Sequence, residues 1–135
     1  MSGYLLDSDS LIFMLKQNPG VVAKVGQAGL STIALSVISA AEILHGAYYS
    51  ANPTQSLENT RSLISQFQVI ELNQPIADKY AEIKAVLKQS GQVIADFDLL
   101  IAATALMKQR TLVTNNLKHF NRLSAIGLAL ENWKN

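Results

Sequence analysis

The 135-residue sequence contains no cysteine, which excludes both a disulfide framework and a thiolate metal site. Charged residues make up only 16% of the chain and hydrophobic residues 49%, a balance that favours a packed core over disorder. No run of about 18 apolar residues occurs, so we expect no membrane span. The N-terminus also lacks the basic and long apolar stretches of a secretory signal peptide. These absences predict a cytoplasmic protein whose residues 1–135 form a single domain.

Net charge is low as well, at +1, which does not favour a general nucleic-acid binder. The charge is uneven along the chain, however. Residues 1–75 carry three Lys or Arg and five Asp or Glu, whereas residues 76–135 carry eight and five. Five of these cations lie towards the C-terminus with Glu131 as the only acid among them: Lys108, Arg110, Lys118, Arg122 and Lys134. Such a patch fits phosphate binding, and it fits a solvated basic face equally well.

Short apolar segments alternate with helical patterns along the sequence. The predicted strands are Tyr4–Leu6, Ser31–Leu35, Val69–Leu72, Thr111–Val113 and Leu128–Leu130. Strands that are apolar on both faces and separated by helices predict an α/β fold, with a central parallel sheet of about five strands flanked by helices. Among the helices, Ser39 is the predicted N-cap of one that runs to about Ser50, and Thr54 that of the next.

Several polar side chains follow the predicted strands. Asp7 comes directly after the first strand and Asn116 after the fourth. Because ligands of open α/β sheets bind outside the carboxyl ends of the strands, we expect both at one rim. Glu42, predicted one turn into the helix after strand two, lies in an otherwise apolar and small-residue stretch. A carboxylate there is costly unless it is paired or bound to a cation.

Carboxylates that converge without matching Lys or Arg repel one another, and a divalent cation removes that conflict. Oxygen ligands without cysteine suit Mg²⁺ or Mn²⁺, and such a site suits phosphodiester cleavage by metal-activated water. Taken singly, each acid also has a structural interpretation. Asp7 and Asp9 fit a turn with an N-cap, and Asp96 and Asp98 fit residues that begin a helix and complement its dipole.

Five segments, in order and nearly end to end, resemble the motifs of PIN-domain ribonucleases, and specifically of VapC-like toxins from bacterial type II toxin–antitoxin pairs. Residues 4–9 are similar to the opening "YLLDTN" motif, and residues 39–46 to "T-x-x-E-L-x-x-G". Residues 94–103 contain "D-x-L-I-A-A", residues 112–120 match "L-V-T-N-N-x-x-x-F", and residues 128–133 match the closing "L-x-x-E-N-W".

The resemblance implies a PIN-like three-layer sandwich and an Mg²⁺- or Mn²⁺-dependent endoribonuclease. By position, Asp7, Glu42 and Asp98 would be the acidic metal-site residues. Asn116 falls where many relatives have a fourth acid, so its expected role is a hydrogen bond to metal-bound water.

Further roles follow by position from the same resemblance. Asp9, which replaces the usual Asn of the opening motif, and Asp96 are further candidate ligands. Ser8 and Thr114 are expected to be supporting polar residues. The implied partners are an RNA substrate, a cognate antitoxin whose chain covers the active-site groove, and a second copy in a homodimer.

Two alternatives stay open at this point. One is a PIN-like module with little catalytic activity that binds RNA or protein, since the fourth acid is missing. Another is an aspartate-nucleophile phosphatase, because residues 7–10 resemble its D-x-D-x-[TS] start. That class needs a lysine and a further acidic pair after strand four, whereas here strand four ends in Thr114-Asn115-Asn116. Glu42 and His45 also form one Glu-x-x-His pattern of a di-iron site. That site requires a second copy, which the sequence lacks, so His45 is interpreted as an ordinary polar residue near the helix end.

Overall fold

The computed structural model describes residues 3–134, in which strands and helices alternate. Within this range the strands are β1 Tyr4–Leu6, β2 Ile33–Ser36, β3 Gln68–Ile70, β4 Thr111–Val113 and β5 Leu130–Glu131. The α-helices of the same range are α1 Ser8–Leu15, α2 Pro19–Ala28, α3 Val37–Tyr48, α4 Pro53–Ile64, α5 Gln74–Gln89, α6 Asp96–Met107 and α7 Leu117–Phe120. Short 3₁₀ helices occupy Leu30–Thr32 and Asn121–Ile126.

The strands form one parallel sheet in the order β3-β2-β1-β4-β5, as the alternation of elements predicts. Tyr4 lies opposite Ile33 of β2 on one side and opposite Thr111 of β4 on the other. The chain therefore winds from β1 towards one edge and then returns to the other side of β1. The strand order reverses between β1 and β4, and their carboxyl ends border the crevice where α/β proteins bind ligands.

Successive residues of each strand point to opposite faces of the sheet, which produces two apolar layers. Leu5 of β1 joins a cluster with buried residues of α5 and α6, including Ile83 and Ile101. Leu6, its neighbour, joins a second cluster with residues of α1 and α2, including Leu11 and Val25. A fully buried leucine contributes roughly 1.5–3 kcal/mol, so both layers fix the position of β1. The result is the predicted three-layer sandwich.

Two predicted helix caps are wrong. Helix α3 begins at Val37, and Ser36 caps it by accepting a hydrogen bond from the amide of Ile38, so the predicted cap Ser39 lies inside the helix. Because β2 runs directly into α3, the helix starts three residues earlier than expected and Glu42 lies in its second turn. Similarly, Asn52 rather than Thr54 caps α4, since Pro53 suits the first helical position.

The strand limits differ from the predictions by one or two residues at most ends. The predicted start of strand two, at Ser31, is wrong because Leu30–Thr32 form a 3₁₀ turn before β2. The third strand ends at Ile70, before the predicted Leu72. The fifth begins at Leu130, where the predicted segment ends. Such shifts at element ends are common, and they leave the order of elements unchanged.

In the described part of the chain, no helix is both long and apolar enough to cross a lipid bilayer.

Candidate active site

Asp7 lies at the point where β1 ends and α1 begins. Its backbone is extended, with φ −71° and ψ 161°, and its amide donates to the carbonyl of Val113 in β4 (2.9 Å). Its Oδ1 caps α1 by accepting from the amide of Ser8 (2.8 Å), and its Oδ2 accepts from the hydroxyl of Thr114 (3.0 Å). The side chain is therefore fixed between the central strands β1 and β4, with only 6% of the residue exposed.

Thr114, fully buried just after β4, connects the two loops of this crevice. Its hydroxyl donates to Asp7, lies 3.4 Å from Oδ2 of Asp9, and accepts from the amide of Asn116 (3.0 Å). Asp9 is held further by the amide of Asn115, which donates to its Oδ2 (3.0 Å). The carboxylates are thus ordered without a cationic side chain.

The pKa of Asp7 is raised from 3.8 to about 7, mainly by burial and then by the nearby charges of Asp9 and Asp98. The hydrogen bonds from Ser8 and Thr114 lower the same pKa but do not offset the burial. Burial also raises the pKa of Asp9, against the bonds that it accepts. A cation bound beside such a carboxyl group would lower its pKa and favour the ionised form at neutral pH.

Glu42 brings a third carboxylate to this crevice from α3. Burial raises its pKa, a hydrogen bond from the side chain of Ser8 lowers it, and the charges of Asp98 and Asp9 raise it again. Its Oε1 is buried and has no hydrogen-bond partner within the described residues 3–134. A buried oxygen without a donor is costly, and it is the kind of atom that a cation would satisfy.

Asp98 lies in the first turn of α6, and its charge acts on both Asp7 and Glu42. Its Oδ2 is 3.1 Å from Nε2 of His119 in α7, a contact that becomes an ion pair when the imidazole is protonated. Among residues 3–134, this buried Nε2 has no hydrogen-bond partner. The structure thus brings Asp7, Glu42 and Asp98 from three separate elements into electrostatic contact.

Asp96 is directed away from these acids. It accepts hydrogen bonds from Lys84 (2.8 Å) and Tyr80 (2.8 Å), both on α5. These bonds, first that of Lys84, lower the pKa of Asp96, whose charge is already balanced. Neither Asp96 nor Asp98 caps α6, since the cap position is Ala95 and no side chain caps the helix there. Asp9, by contrast, stays beside Asp7 at the crevice.

Asn116 is exposed at the N-cap position of α7, and its side chain makes no capping hydrogen bond there. The structure therefore places it next to Thr114 at the rim, as its position after β4 predicts, with its amide group unengaged in capping.

Sequence reasoning did not identify Ser10 and His119 as site residues. Ser10 donates to the carbonyl of Val113 (3.1 Å) and joins α1 to β4, a contact that requires the tertiary fold.

The donor set suits a hard divalent cation. Among residues 3–134, no three His, Cys, Asp or Glu side chains are arranged to hold a metal ion by themselves. Carboxylates that repel one another are expected to stand apart until a cation draws them together. Mg²⁺ also keeps several waters and takes only one or two carboxylates directly. The raised pKa values and the partnerless Glu42 oxygen therefore fit a site for a hydrated cation.

Several known proteins are similar to this chain in sequence and in fold. A family model for the PIN domain matches residues 4–126. Ribonuclease VapC2 of Rickettsia felis is 33% identical over 132 residues, which cover 96% of this chain and 97% of that protein. The tRNA(fMet)-specific endonuclease VapC of Salmonella typhimurium is 29% identical, with 98% and 99% covered. The solved structure of DNA-bound VapBC from Salmonella typhimurium superposes with a TM-score of 0.91 at 28% identity, with 98% and 99% covered.

Proposed function

The chain belongs to the PIN-domain family, and we propose that it is a VapC-type endoribonuclease whose divalent cation is held by Asp7, Glu42 and Asp98. The observation that carries this proposal is the meeting of three acids, none of which is paired with a Lys or Arg of residues 3–134, beside β1 and β4, where the strand order reverses. An acidic centre of this kind requires a cation before it can accept the negatively charged backbone of RNA.

The three acids would have different roles at the cation, which follow from their surroundings. Asp7, the most rigidly held, would be the fixed ligand, because its Oδ atoms are oriented by Ser8 and Thr114. Glu42 would contribute the oxygen that now lacks a partner. Asp98, at the start of α6, would complete the set or orient a water. A bound Mg²⁺ or Mn²⁺ supplies Lewis-acid chemistry, which activates water and steadies the charge that develops on the phosphate.

The neighbouring polar residues would orient this centre. Thr114 fixes the distance between the loops after β1 and β4, and Ser8 holds one side of Glu42. Asn116 would reach a coordinated water through its amide, while Asp9 adds negative charge beside Asp7. Asp96 is paired with Lys84, so we assign it to the packing of α5 against α6 and not to the cation.

The proposed biological role is that of the toxin in a toxin–antitoxin pair. The similar structure from Salmonella typhimurium is that of DNA-bound VapBC, which supports a cognate antitoxin for this chain as well. The similarity to a tRNA(fMet)-specific endonuclease supports structured RNA, such as tRNA, as the substrate class of this chain. We infer that the protein acts on this RNA in the cytoplasm, as a homodimer.

Cleavage of tRNA by the purified protein tests the proposal. We expect cleavage with Mg²⁺ or Mn²⁺, none with EDTA, and a loss of at least about a hundredfold in Asp98→Asn, because a charge at the cation is removed. Asp96→Asn is the matched control. It carries the same substitution two residues earlier, and we expect it to cleave at nearly the wild-type rate.

Two results would contradict the assignment. Cleavage by Asp98→Asn at the wild-type rate would remove Asp98 from the site. RNA binding without cleavage in any divalent cation would favour the alternative of a PIN-like binding module.

A further inference from the structure

Helix α3 carries an exposed aromatic surface beyond Glu42. Tyr49 is 85% exposed and Tyr48 59% exposed, the largest values among the tyrosines described as exposed. His45 and Arg61 lie beside them and are also exposed. We call these residues, His45, Tyr48, Tyr49 and Arg61, the α3 patch. Single exposed apolar residues are normal, whereas adjacent exposed rings with neighbouring cations indicate a binding surface.

The patch is continuous with the candidate active site. His45 and Tyr49 follow Glu42 by three and seven residues, and this spacing places all three on one face of a helix. With a rise of 1.5 Å per residue, Tyr49 stands about 10 Å along the axis from Glu42. A few nucleotides of single-stranded RNA span that distance, so an RNA strand that is bound at the acids also reaches the rings of the α3 patch.

The rings are arranged for stacking. The imidazole of His45 and the phenol of Tyr49 are nearly parallel, at 21°, with centroids 6.1 Å apart. The guanidinium of Arg61 lies over the ring of Tyr48 at 5.9 Å and donates to its hydroxyl (3.0 Å). Tyr48 and Arg61 therefore support each other on the α4 side, while the outer face of Tyr49 stays open to solvent.

The charge of the patch also suits a nucleic acid. No Asp or Glu occurs between residues 43 and 57, so Glu42 is the only acid of α3. Single-stranded nucleic acids are bound by aromatic side chains that stack on bases and by cations that contact the backbone. The patch offers both, next to a centre that cuts the backbone.

We propose that the α3 patch is a stacking platform for unpaired bases of the RNA substrate, with Tyr49 as its main contact. The proposal rests on the proposed nuclease function and assigns a role to His45, which the Glu-x-x-His pattern left unexplained. Tyr49 would receive a base that lies a few nucleotides from the cleaved bond. Structured RNA would then be selected by the unpaired bases of its loops.

Binding of a labelled single-stranded RNA of about 12 nucleotides, followed by fluorescence anisotropy, tests the platform. Measurements are made in Mg²⁺ with the Asp98→Asn protein, which is expected not to cut the probe. Adding Tyr49→Leu should weaken binding about tenfold, because the ring that stacks on a base is lost. The matched control Tyr49→Phe keeps the ring and should bind like the parent.

A duplex of the same sequence provides a second control. Its bases are stacked on one another and unavailable to Tyr49, so Tyr49→Leu should change duplex binding less than twofold.

Arg61→Gln should reduce the slope of log affinity against log salt by about 0.7, the value for one backbone phosphate of a single strand. In otherwise wild-type protein, Tyr49→Leu should raise KM and leave kcat unchanged, since a binding contact is lost.

Equal binding of the single strand by Tyr49→Leu and Tyr49→Phe would overturn the platform while leaving the nuclease function intact. Failure of the wild-type protein to cleave RNA, together with failure of the Asp98→Asn protein to bind it, would overturn both. The main competing occupant is a second copy of the chain, which sedimentation distinguishes. If Tyr49→Leu changes the oligomeric state of the protein in solution, the patch is an interface between copies and the proposal is wrong.

Discussion

Asp7 serves two purposes at the end of β1. One oxygen caps α1, and the other fixes the loop after β4 through Thr114, so the residue is ordered even though its charge is poorly tolerated. Its pKa of about 7 means that the folded protein retains a proton there that the unfolded chain has lost. A raised acid pKa makes the stability of the fold decline as pH rises from about 4 to about 7.

Asp7→Asn should therefore stabilise the metal-free protein at alkaline pH. The amide carries no charge to desolvate, so the variant should unfold at a temperature several degrees higher than wild type at about pH 8 in EDTA, corresponding to about 1 kcal/mol or more. Near pH 4, where Asp7 is largely protonated in the folded state, this advantage should disappear. Thermal unfolding across this pH range measures the difference in Tm between Asp7→Asn and wild type. A difference that does not vary with pH would contradict the account of Asp7 as a buried group that ionises near pH 7.

Individual site residues could be predicted where a strand end or an unusual burial marked them. Asp7 follows a strand, and Glu42 interrupts an apolar stretch, so both carried a physical signal. The contact of His119 with Asp98 joins α7 to α6 and depends on packing that no local pattern reveals. Asp96 shows the reverse case. Its acidity suggested a ligand, whereas on α5 Lys84 pairs with its charge and Tyr80 donates a hydrogen bond to it.

At the scale of elements, the entry into β1 is sterically restricted. A Cβ added to Gly3 would lie 2.5 Å from the carbonyl oxygen of Thr32 and 2.8 Å from a guanidinium nitrogen of Arg110. That same guanidinium donates to the carbonyls of Tyr4 (3.2 Å) and Thr32 (3.1 Å). The glycine thus lets β1, β2 and Arg110 meet at the amino ends of the strands, whereas the acids lie at the carboxyl ends.

Gly3→Ala should destabilise the fold by about 2 kcal/mol, because backbone atoms must move apart to admit the methyl group. Gly26→Ala is the matched control, since its Cβ meets nothing within 4 Å and helix α2 favours alanine. The control should gain up to about 1 kcal/mol. Urea unfolding measures both, and a neutral Gly3→Ala would contradict the close approach.

The order of the elements could be predicted from alternating apolar runs, but not where each helix begins. Serine at position 39 fits an N-cap, yet Ser36 takes that role because β2 passes into α3 without a loop. The choice depends on how far the strand pairs with its neighbours, which is a tertiary property. This shift matters for the site, since the helix start sets the face on which Glu42 lies.

At the scale of the whole molecule, the sheet order assembles a site from distant parts of the chain. Asp7 and Thr114 are 107 residues apart and meet because β1 and β4 are neighbours. The acids come from α3, α6 and the end of β1, so no single segment contains the site. Their meeting point was predictable from the general rule for parallel sheets, whereas the contribution of α6 was not.

The toxin role predicts an effect on growing cells. Expression of the wild-type chain should arrest growth, and the Asp98→Asn variant should not, because the arrest depends on RNA cleavage. Coexpression of the product of the adjacent small gene should restore growth by binding the toxin. Colony counts after induction measure this, and equal arrest by Asp98→Asn would show that the toxicity has another cause.

The most direct test of the metal site measures binding and cleavage together. Mn²⁺ is titrated into the wild-type protein, bound ion is followed by electron paramagnetic resonance, and tRNA cleavage is measured in the same samples. We predict that occupancy and cleavage rate rise in parallel, and that Asp7→Asn, Glu42→Gln and Asp98→Asn each lose both, whereas Asp96→Asn loses neither. Cleavage that persists in EDTA, or Mn²⁺ that binds equally well to the three variants, would contradict the assignment.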